Sequence, residues 1–187
     1  MARLTAFAFV SIDGYFTDRH GDMSFAKGRP DPEFEAYTAQ NAKGGGRLVF
    51  GRVTYEMMAA WWQTQAAAAA QPAVAERMNA LPKIVFSRSL RSVDWRNATL
   101  AGGDLALTVA RLKADGGDDL VILGSGSLVA QLAAAGLVDA LELVTIPVAL
   151  GGGRTLFDGI ARPLAFETGA TRRFGNGNVL VTWVPRR

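Results

Sequence analysis

Short apolar segments alternate along the chain with longer segments in which apolar residues recur at helical spacing. Five apolar segments have the length and composition of buried β-strands, namely residues 3–12, 47–50, 83–87, 119–123 and 140–148. The helical segments between them are residues 32–43, 54–62, 71–80, 104–114 and 127–135. Because helices separate the strands, the pattern predicts an α/β fold with a mainly parallel sheet covered by helices on both faces.

The last part of the chain departs from this alternation. Residues 165–185 contain two strand-like segments joined by a Gly-Asn-Gly turn, which predicts an antiparallel hairpin at one edge of the sheet. The alanine-rich segment 65–75 can form a surface helix or a linker between helices, since Pro72 can begin a helix. No break in composition and no internal repeat divides the chain, so we expect residues 1–187 to form one domain.

Composition removes several classes of function. The 20 basic and 17 acidic residues are spread along the chain, whereas nucleic-acid-binding proteins concentrate basic residues on one face. Cysteine is absent and His20 is the single histidine, so a disulfide, a thiolate site and a multi-histidine zinc site are excluded and we expect no metal. The sequence lacks an apolar stretch of about 18 residues and a signal-peptide cleavage site, so we expect a soluble cytoplasmic protein.

Glycine and serine fill the junction between the fourth predicted strand and the helix that follows it, in the order Gly124-Ser125-Gly126-Ser127. The N-terminus of a helix presents unpaired N–H groups and the positive end of the helix dipole, so this junction could hold a diphosphate. Alternatively, Ser125 or Ser127 caps the helix and the glycines only form the turn. The full G-x-G-x-x-G pattern is not present, since Val129 occupies the third glycine position.

Two other predicted strands also end in residues that can bind phosphate. Gly51-Arg52 follows the second strand, and Ser87-Arg88 lies at the end of the third. The carboxyl ends of parallel strands meet at one edge of an open sheet, which is where α/β proteins bind their ligands. Two arginines at this edge could hold a phosphate monoester through charge-assisted hydrogen bonds, although each alone could be an ordinary surface residue.

Five motifs of the chain resemble those of a known superfamily, in the same order. The motifs are VSIDGYFTD, LVFGRVTYEMM, KIVFSRSL, VILGSGSLVAQL and GLVDALELVTIPVALGGGRTLF. They resemble the dihydrofolate reductase-like superfamily, and more narrowly the branch that contains the C-terminal reductase domain of RibD and its stand-alone relatives. The resemblance covers nearly the whole chain. It implies a dihydrofolate reductase-like three-layer sandwich with a mostly parallel sheet and a C-terminal antiparallel hairpin.

The resemblance implies an NADPH-dependent reductase that transfers hydride to a small heterocyclic or carbonyl-type substrate of pteridine or pyrimidine type. Residues 51–54 and 87–88 would hold the adenosine side and 2′-phosphate of NADPH, and residues 124–128 would surround the diphosphate. In this interpretation the glycine at 51 admits the ligand to the backbone, and the arginine after it supplies charge. The implied cofactor-binding residues are Gly51, Arg52, Val53, Thr54, Ser87, Arg88, Gly124, Ser125, Gly126, Ser127 and Leu128.

On the substrate side, residues 13–25 resemble the mobile loop that lies over the nicotinamide in the family. Phe16 and Phe25 of this loop are candidates for substrate contact, although Phe25 could equally be a core residue. The resemblance also suggests Glu35, Thr145 and Asp13 as catalytic residues. Glu35 matches a helix-borne acid that meets the substrate, and Thr145 matches a threonine that partners this acid. Alternatively, Glu35 only complements the helix dipole and Asp13 only forms a turn.

Several features set limits on this resemblance. Residues 80–82 lack the arginine that holds the glutamate tail of folate, so we do not expect a folate reductase. The glycine run 44–46 is expected to loosen a helix-to-strand connection. A non-catalytic NADP(H)-binding module that keeps the fold is the alternative function, and nucleic-acid binding has the least support. Contact between two copies through residues 147–150 or the C-terminal hairpin would give a homodimer.

Overall fold

An eight-stranded sheet forms the centre of the computed structural model, which describes residues 1–43 and 46–186. The strands are β1 Leu4–Ser11, β2 Tyr15–Thr17, β3 Arg47–Gly51, β4 Lys83–Phe86, β5 Ala98–Ala101, β6 Leu120–Leu123, β7 Ala140–Ile146, β8 Arg154–Thr155, β9 Phe166–Arg173 and β10 Val179–Pro185. The order in the sheet is β5-β4-β3-β6-β1-β7-β10-β9, and β2 pairs with β8 in a separate ribbon. The first six strands of that order are parallel, whereas β10 and β9 are antiparallel to their neighbours.

Six α-helices and one short 3-10 helix accompany the sheet in the described residues. They are the 3-10 helix Ser24–Lys27 and the α-helices α1 Pro32–Lys43, α2 Arg52–Trp62, α3 Gln65–Ala70, α4 Pro72–Ala80, α5 Leu105–Ala114 and α6 Gly126–Ala134. Helices α5 and α6 pack on one face of the sheet, against Leu4, Ile122 and Leu141. Helices α1, α2 and α4 cover the other face. The molecule is therefore a three-layer sandwich with a helical layer on each side of the sheet.

Local sequence signals explain where the helices begin and end. Asp31 caps α1, because its carboxylate accepts a hydrogen bond of 2.8 Å from the amide of Phe34, and Pro32 occupies the first helical position. Helix α6 ends at Ala134, and Gly136 follows it with a φ of 69°, the left-handed conformation that glycine adopts most readily. The amides of Gly136 and Leu137 donate to carbonyls in the last turn of α6, which satisfies these acceptors.

The predicted parallel sheet, the helices on both of its faces and the C-terminal hairpin are confirmed. Each predicted strand and helix is present within a few residues of its predicted bounds. For segment 65–75 the structure selects the helical alternative, with α3 and α4 separated by Gln71. Strand β7 ends at Ile146, two residues before the predicted end at residue 148.

Three strands were not predicted, namely β2, β5 and β8. Strands β2 and β8 have three and two residues, and they exist because Tyr15 pairs with Thr155 and Thr17 with Arg154. Such pairing between distant segments leaves no periodic signal in either segment. The glycine run 44–46 was predicted to loosen the connection between α1 and β3. Residues 44 and 45 lie outside the described residues. Gly46 has a φ of 100°, and a side chain there would meet the carbonyl oxygen of Asp119.

Candidate functional site

A cleft of about 1250 Å³ lies between the sheet and the helices α1, α2 and α4. Its floor consists of sheet residues that point to this face, among them Phe7 and Phe9 of β1 and Glu142 of β7. Helix α2 supplies a wall of large apolar side chains, and α1 supplies the opposite wall. The α2 wall consists of Met57, Met58, Trp61 and Trp62. The cleft is thus mainly apolar, with carboxyl groups at a few positions.

The cleft reaches the carboxyl edge of the sheet, where Phe16, Gly124 and Ser125 line it. At this edge the three predicted phosphate-binding junctions follow strands β4, β3 and β6, which are consecutive neighbours in the sheet. Gly51 of β3 pairs with Phe86 of β4, so the segments that follow these two residues leave the sheet side by side. The structure therefore brings the three junctions together.

Ser125 joins two of these junctions directly. Its hydroxyl oxygen accepts a hydrogen bond of 2.9 Å from the amide of Gly51 and donates one of 2.9 Å to the hydroxyl of Thr54. A side chain on Gly51 would lie 3.4 Å from this hydroxyl oxygen and 3.6 Å from Leu128. Both are ordinary contact distances, so the prediction that Gly51 admits a ligand to the backbone stays a prediction.

Helix α6 begins without a side-chain cap, since the hydroxyl of Ser125 is bonded elsewhere. Both residues before the helix are left-handed, with φ of 59° at Gly124 and 57° at Ser125. In the described part of the chain, the amides of Gly126 and Ser127 have no hydrogen-bond partner, whereas the amide of Leu128 donates to Ser125. Unpaired amides at a helix N-terminus can bind an anion. The alternative in which the side chain of Ser125 or Ser127 caps this helix is therefore wrong.

The structure explains why position 126 is a glycine, which the sequence alone did not show. A side chain at this position would lie 2.7 Å from a ring carbon of Phe16 and 3.1 Å from the carbonyl oxygen of Thr155. The glycine thus lets the β2–β8 ribbon pack on the start of α6. The predicted cofactor role of Leu128 is also corrected, because its side chain is buried in the core and its amide is bonded.

The predicted phosphate-binding side chains lie on the exposed rim of the same edge. Arg52 forms an ion pair of 2.8 Å with Glu56, and both side chains are about half exposed. The hydroxyl oxygen of Ser87 accepts hydrogen bonds from the amides of Ser89 and Leu90, which closes a tight turn. The side chains of Arg88 and Val53 are exposed. The two guanidinium groups are therefore accessible to a ligand, and the one at position 52 would exchange a carboxylate partner for a phosphate.

Of the predicted catalytic residues, only Glu35 lines the cleft. Thr145 pairs with Val10 of β1 and Val179 of β10, so its side chain lies on the sheet face opposite the cleft. The predicted partnership of Glu35 and Thr145 is wrong, because the alternation of side chains along β7 places Glu142 and Val144 on the cleft face instead.

Asp13 holds the loop after β1 instead of facing the cleft. Its carboxylate accepts hydrogen bonds from the hydroxyl of Ser11 at 2.6 Å and from the amides of Leu150 and Gly151 at 3.1 Å and 2.8 Å. These bonds, that from Ser11 first, lower the pKa of Asp13 to about 2. Asp13 is not among the residues that line the cleft, so its position gives the predicted catalytic role no support.

Phe16 and Phe25, the two aromatic candidates for substrate contact, differ in whether they line the cleft. Phe16 lines the cleft as predicted, and it does so from β2. Phe25 packs against the cluster of Phe34, Val144 and Phe174, which is the core alternative. Its neighbours Met23, Ala26 and Lys27 line the cleft instead.

Sequence reasoning missed Glu142 and the apolar wall of α2. Burial raises the pKa of Glu142, against the opposing effect of Arg3. Tyr37 of α1 has its pKa raised to about 12, first by burial and then by the charge of Glu142. A glutamate inside the apolar strand segment ALELV was the available signal. Within residues 1–43 and 46–186, no group of three or more His, Asp or Glu side chains could hold a metal ion, and no helix is long and apolar enough to cross a bilayer.

Residues 2–180 match the family named RibD C-terminal domain. The chain belongs to this family. The uncharacterized protein YyaP of Bacillus subtilis (strain 168) is 24% identical over 174 residues, which are 93% of this chain and 90% of YyaP.

Two solved structures show the same fold. One comes from Shewanella sp. PV-4 and is named for riboflavin biosynthesis; it is 21% identical, with a TM-score of 0.80 over 100% of both chains. The other is dihydrofolate reductase from Enterococcus faecalis in complex with NADP(H) and RAB-propyl. It is 15% identical and has a TM-score of 0.61 over 99% of this chain and 97% of that chain.

Proposed function

We propose that the protein is a reductase that uses NADPH and transfers hydride to a small heterocyclic or carbonyl-type substrate of pteridine or pyrimidine type. Membership of the RibD C-terminal domain family and the fold shared with an NADP(H)-bound dihydrofolate reductase support this proposal. The observation that carries it is the position of the three predicted phosphate-binding junctions at the ends of neighbouring strands, beside a large apolar cleft.

The cofactor site uses groups at each junction. The unpaired amides of Gly126 and Ser127 and the positive end of the α6 dipole would receive the diphosphate. Arg52 and Arg88, with the turn at Ser87, would receive the 2′-phosphate. When bound, NADPH supplies the hydride, and this chain supplies orientation and electrostatics.

The protein's own contribution to the reaction lies in the cleft. Phe16 covers the start of α6 and closes one side of the cleft, which would exclude water from the reacting centre. Glu35 in the α1 wall is exposed to the cleft, so it can exchange protons with solvent and with a bound substrate.

A non-catalytic NADP(H)-binding module is the second candidate. It gains support because Asp13 and Thr145, two of the three predicted catalytic residues, do not face the cleft. If NADPH binds but its absorbance is unchanged with a panel of pteridines, pyrimidines and carbonyl compounds, this second function replaces the first.

Cofactor preference tests the proposal directly. The wild-type protein should bind NADPH more tightly than NADH, measured by fluorescence titration. Replacing both Arg52 and Arg88 with alanine should remove most of this preference, since each charge-assisted hydrogen bond contributes roughly 1.5–3 kcal/mol. Arg111→Ala, at an exposed position on α5 on the sheet face opposite the cleft, is the matched control. Equal affinity of the wild-type protein for both cofactors would refute the 2′-phosphate assignment.

We also propose a homodimer with a small molecule as its only other partner, not nucleic acid or membrane, in the cytoplasm. The outer edge of β9 is the surface that supports self-association, because this strand ends the sheet and its residues after Phe166 are exposed. Light scattering at micromolar concentration should give the mass of two chains, and a single-chain mass would contradict this assembly.

A further inference from the structure

We propose that the hydroxyl of Tyr55 is a positioning group for the cofactor site. It fixes the segment 87–97, which carries Arg88, relative to α2, which carries Arg52, and so sets the preference for a cofactor with a 2′-phosphate. This inference rests on the proposed reductase function and specifies how its phosphate site is held together. It follows from the hydrogen bonds of Tyr55, from its burial and from the irregular conformation of segment 87–97.

The segment between β4 and β5, residues 87–97, contains neither helix nor strand. At its start, the hydroxyl of Ser87 accepts hydrogen bonds from the amides two and three positions later, and this turn carries the exposed Arg88. The pairing of β3 with β4 ends where the segment begins, and the bonds of the turn are local. Two guanidinium groups bind one phosphate only at a suitable separation, so a further contact has to set the distance from Arg88 to Arg52.

The hydroxyl of Tyr55, in the first turns of α2, provides this contact. It donates a hydrogen bond of 3.0 Å to the carboxylate of Asp94, and its oxygen accepts bonds from the amides of Asp94 at 3.0 Å and Trp95 at 3.1 Å. Within the part of the chain that the structure describes, these three are the hydrogen bonds between α2 and segment 87–97. One phenolic oxygen therefore uses its donor and both of its acceptor positions to hold the segment to α2.

Burial makes these bonds hard to replace with bonds to water. Tyr55 is 4% exposed and Trp95 is 2% exposed, and the centroids of their rings lie 6.3 Å apart. Leu90 and Val93 of the same segment pack against the cluster that contains both rings. Without the hydroxyl, water would have little access to the amide of Trp95, so this amide would stay unpaired and the segment should become more mobile.

Other hydrogen bonds hold the same segment to different elements. The indole N–H of Trp95 donates to Asn79 of α4 at 2.6 Å, and the amino group of Lys83 in β4 donates to the carbonyl of Arg96 at 3.0 Å. Neither of these bonds reaches α2. Because they remain when the Tyr55 hydroxyl is removed, the segment should stay folded while its position relative to α2 is released. The hydroxyl should thus affect the geometry of the phosphate site more than it affects the fold.

The loss of this hydroxyl should weaken the binding of one cofactor and not of the other. A mobile Arg88 has to be ordered when it binds, and this ordering costs free energy only if the ligand contacts it. NADPH would contact it through the 2′-phosphate, whereas NADH has a hydroxyl group at that position. Tyr55→Phe should therefore weaken the binding of NADPH and leave that of NADH nearly unchanged, which a general loss of stability would not do.

Dissociation constants for NADPH and NADH, from fluorescence titration of the full chain, test this inference. Wild type should prefer NADPH, and Tyr55→Phe should reduce the ratio of the two constants about fivefold or more, through NADPH alone. Val109→Ala, buried in α5 on the opposite face of the sheet, should lower the melting temperature but keep the wild-type ratio. Tyr37→Phe removes a hydroxyl of α1 that forms no hydrogen bond among the described residues, and it should also keep the ratio.

A double variant and hydrogen exchange show whether Tyr55 acts through Arg88. In the Arg88→Ala background, Tyr55→Phe should change the ratio by less than about twofold, because the group that it positions is gone. Amides of segment 87–97 should exchange faster in Tyr55→Phe than in wild type. If wild type prefers NADPH and Tyr55→Phe keeps the full ratio, the inference is overturned while the cofactor proposal stands. If wild type binds both cofactors equally, the cofactor proposal fails and this inference fails with it.

Discussion

The hydroxyl of Ser125 is hydrogen bonded to the backbone amide of Gly51, 74 positions earlier in the chain, at a distance of 2.9 Å. The same hydroxyl donates to Thr54 in the first turn of α2. These two bonds fix the start of α6 against the start of α2, which are the two helix N-termini at the edge of the cleft. Ser125 is buried, so water cannot replace the bonds that it makes.

Ser125→Ala should therefore lower the free energy of unfolding by about 1–3 kcal/mol, because the amide of Gly51 and the hydroxyl of Thr54 lose their partner. Urea denaturation of the variant measures this loss. Ser127→Ala, two residues later and exposed, is the matched control and should change the free energy of unfolding by less than about 0.5 kcal/mol. Equal stability of the two variants would show that the link between the two junctions is unimportant.

Gly126→Ala tests the contact between the β2–β8 ribbon and α6. The added methyl group would lie 2.7 Å from the ring of Phe16 and 3.1 Å from a backbone oxygen, so the ribbon has to move. We expect a loss of about 1–3 kcal/mol in the free energy of unfolding by thermal denaturation. Gly102→Ala is the control, since nothing lies within 4 Å of its added side chain, and it should be neutral or slightly stabilising. A neutral Gly126→Ala variant would contradict the close packing of Phe16 on α6.

Asp13 should make the protein less stable in acid. Its pKa is about 2 in the folded protein, lowered from 3.8 first by the hydrogen bond from Ser11 and then by that from the amide of Gly151. Because the folded pKa lies below the unfolded one, the stabilisation is complete above about pH 4 and is lost as the pH falls from 3.8 toward 2.

Melting temperatures of wild type and Asp13→Asn between pH 6 and pH 2 check this dependence. The asparagine variant should melt lower than wild type at pH 6, and the difference should shrink as the pH approaches 2. Asp158→Asn, at an exposed position with no hydrogen bond in the described residues, is the control and should follow the wild-type curve. A constant difference between Asp13→Asn and wild type across this range would mean that the carboxylate does not hold the loop.

The elements of the main sheet were predictable because each one carries its own signal. The segment 119–123 and the serine and glycine residues after it predict strand β6 and the start of α6, and Gly136 marks the end of that helix. The edge at which the cofactor binds in the proposal followed from the same reasoning, since parallel strands share one carboxyl edge.

The register and the long-range contacts were not predictable in this way. Thr145 and Val144 are adjacent in sequence, and a shift of one residue moves a side chain from one sheet face to the other. Counting along an apolar strand does not fix that shift. The reason for Gly126 also depends on Phe16, which approaches from a distant part of the chain. A glycine that accommodates the protein itself looks the same in sequence as one that accommodates a ligand.

The buried amino group of Lys83 should contribute both to stability and to its dependence on pH. This side chain is 1% exposed, and its amino group donates to the carbonyls of Leu81 at 2.7 Å, Arg96 at 3.0 Å and Asn79 at 3.3 Å. It also lies 4.5 Å from the centre of the Trp95 ring. Lys83→Met fills a similar volume but leaves the carbonyls without their donor, so we expect a loss of about 1–3 kcal/mol in the free energy of unfolding.

The pH dependence gives this prediction a second and sharper test. Burial first, and then Arg96, lowers the pKa of Lys83 from 10.5 to about 8 in the folded protein. Between these two values the unfolded chain holds the proton and the folded chain does not, so the free energy of unfolding rises with pH in this range. The stability of wild type relative to Lys83→Met, from urea denaturation, should therefore increase between about pH 8 and pH 10. A flat difference would show that the charged amino group is as stable in the folded protein as in water, because its three carbonyl partners offset the cost of burial.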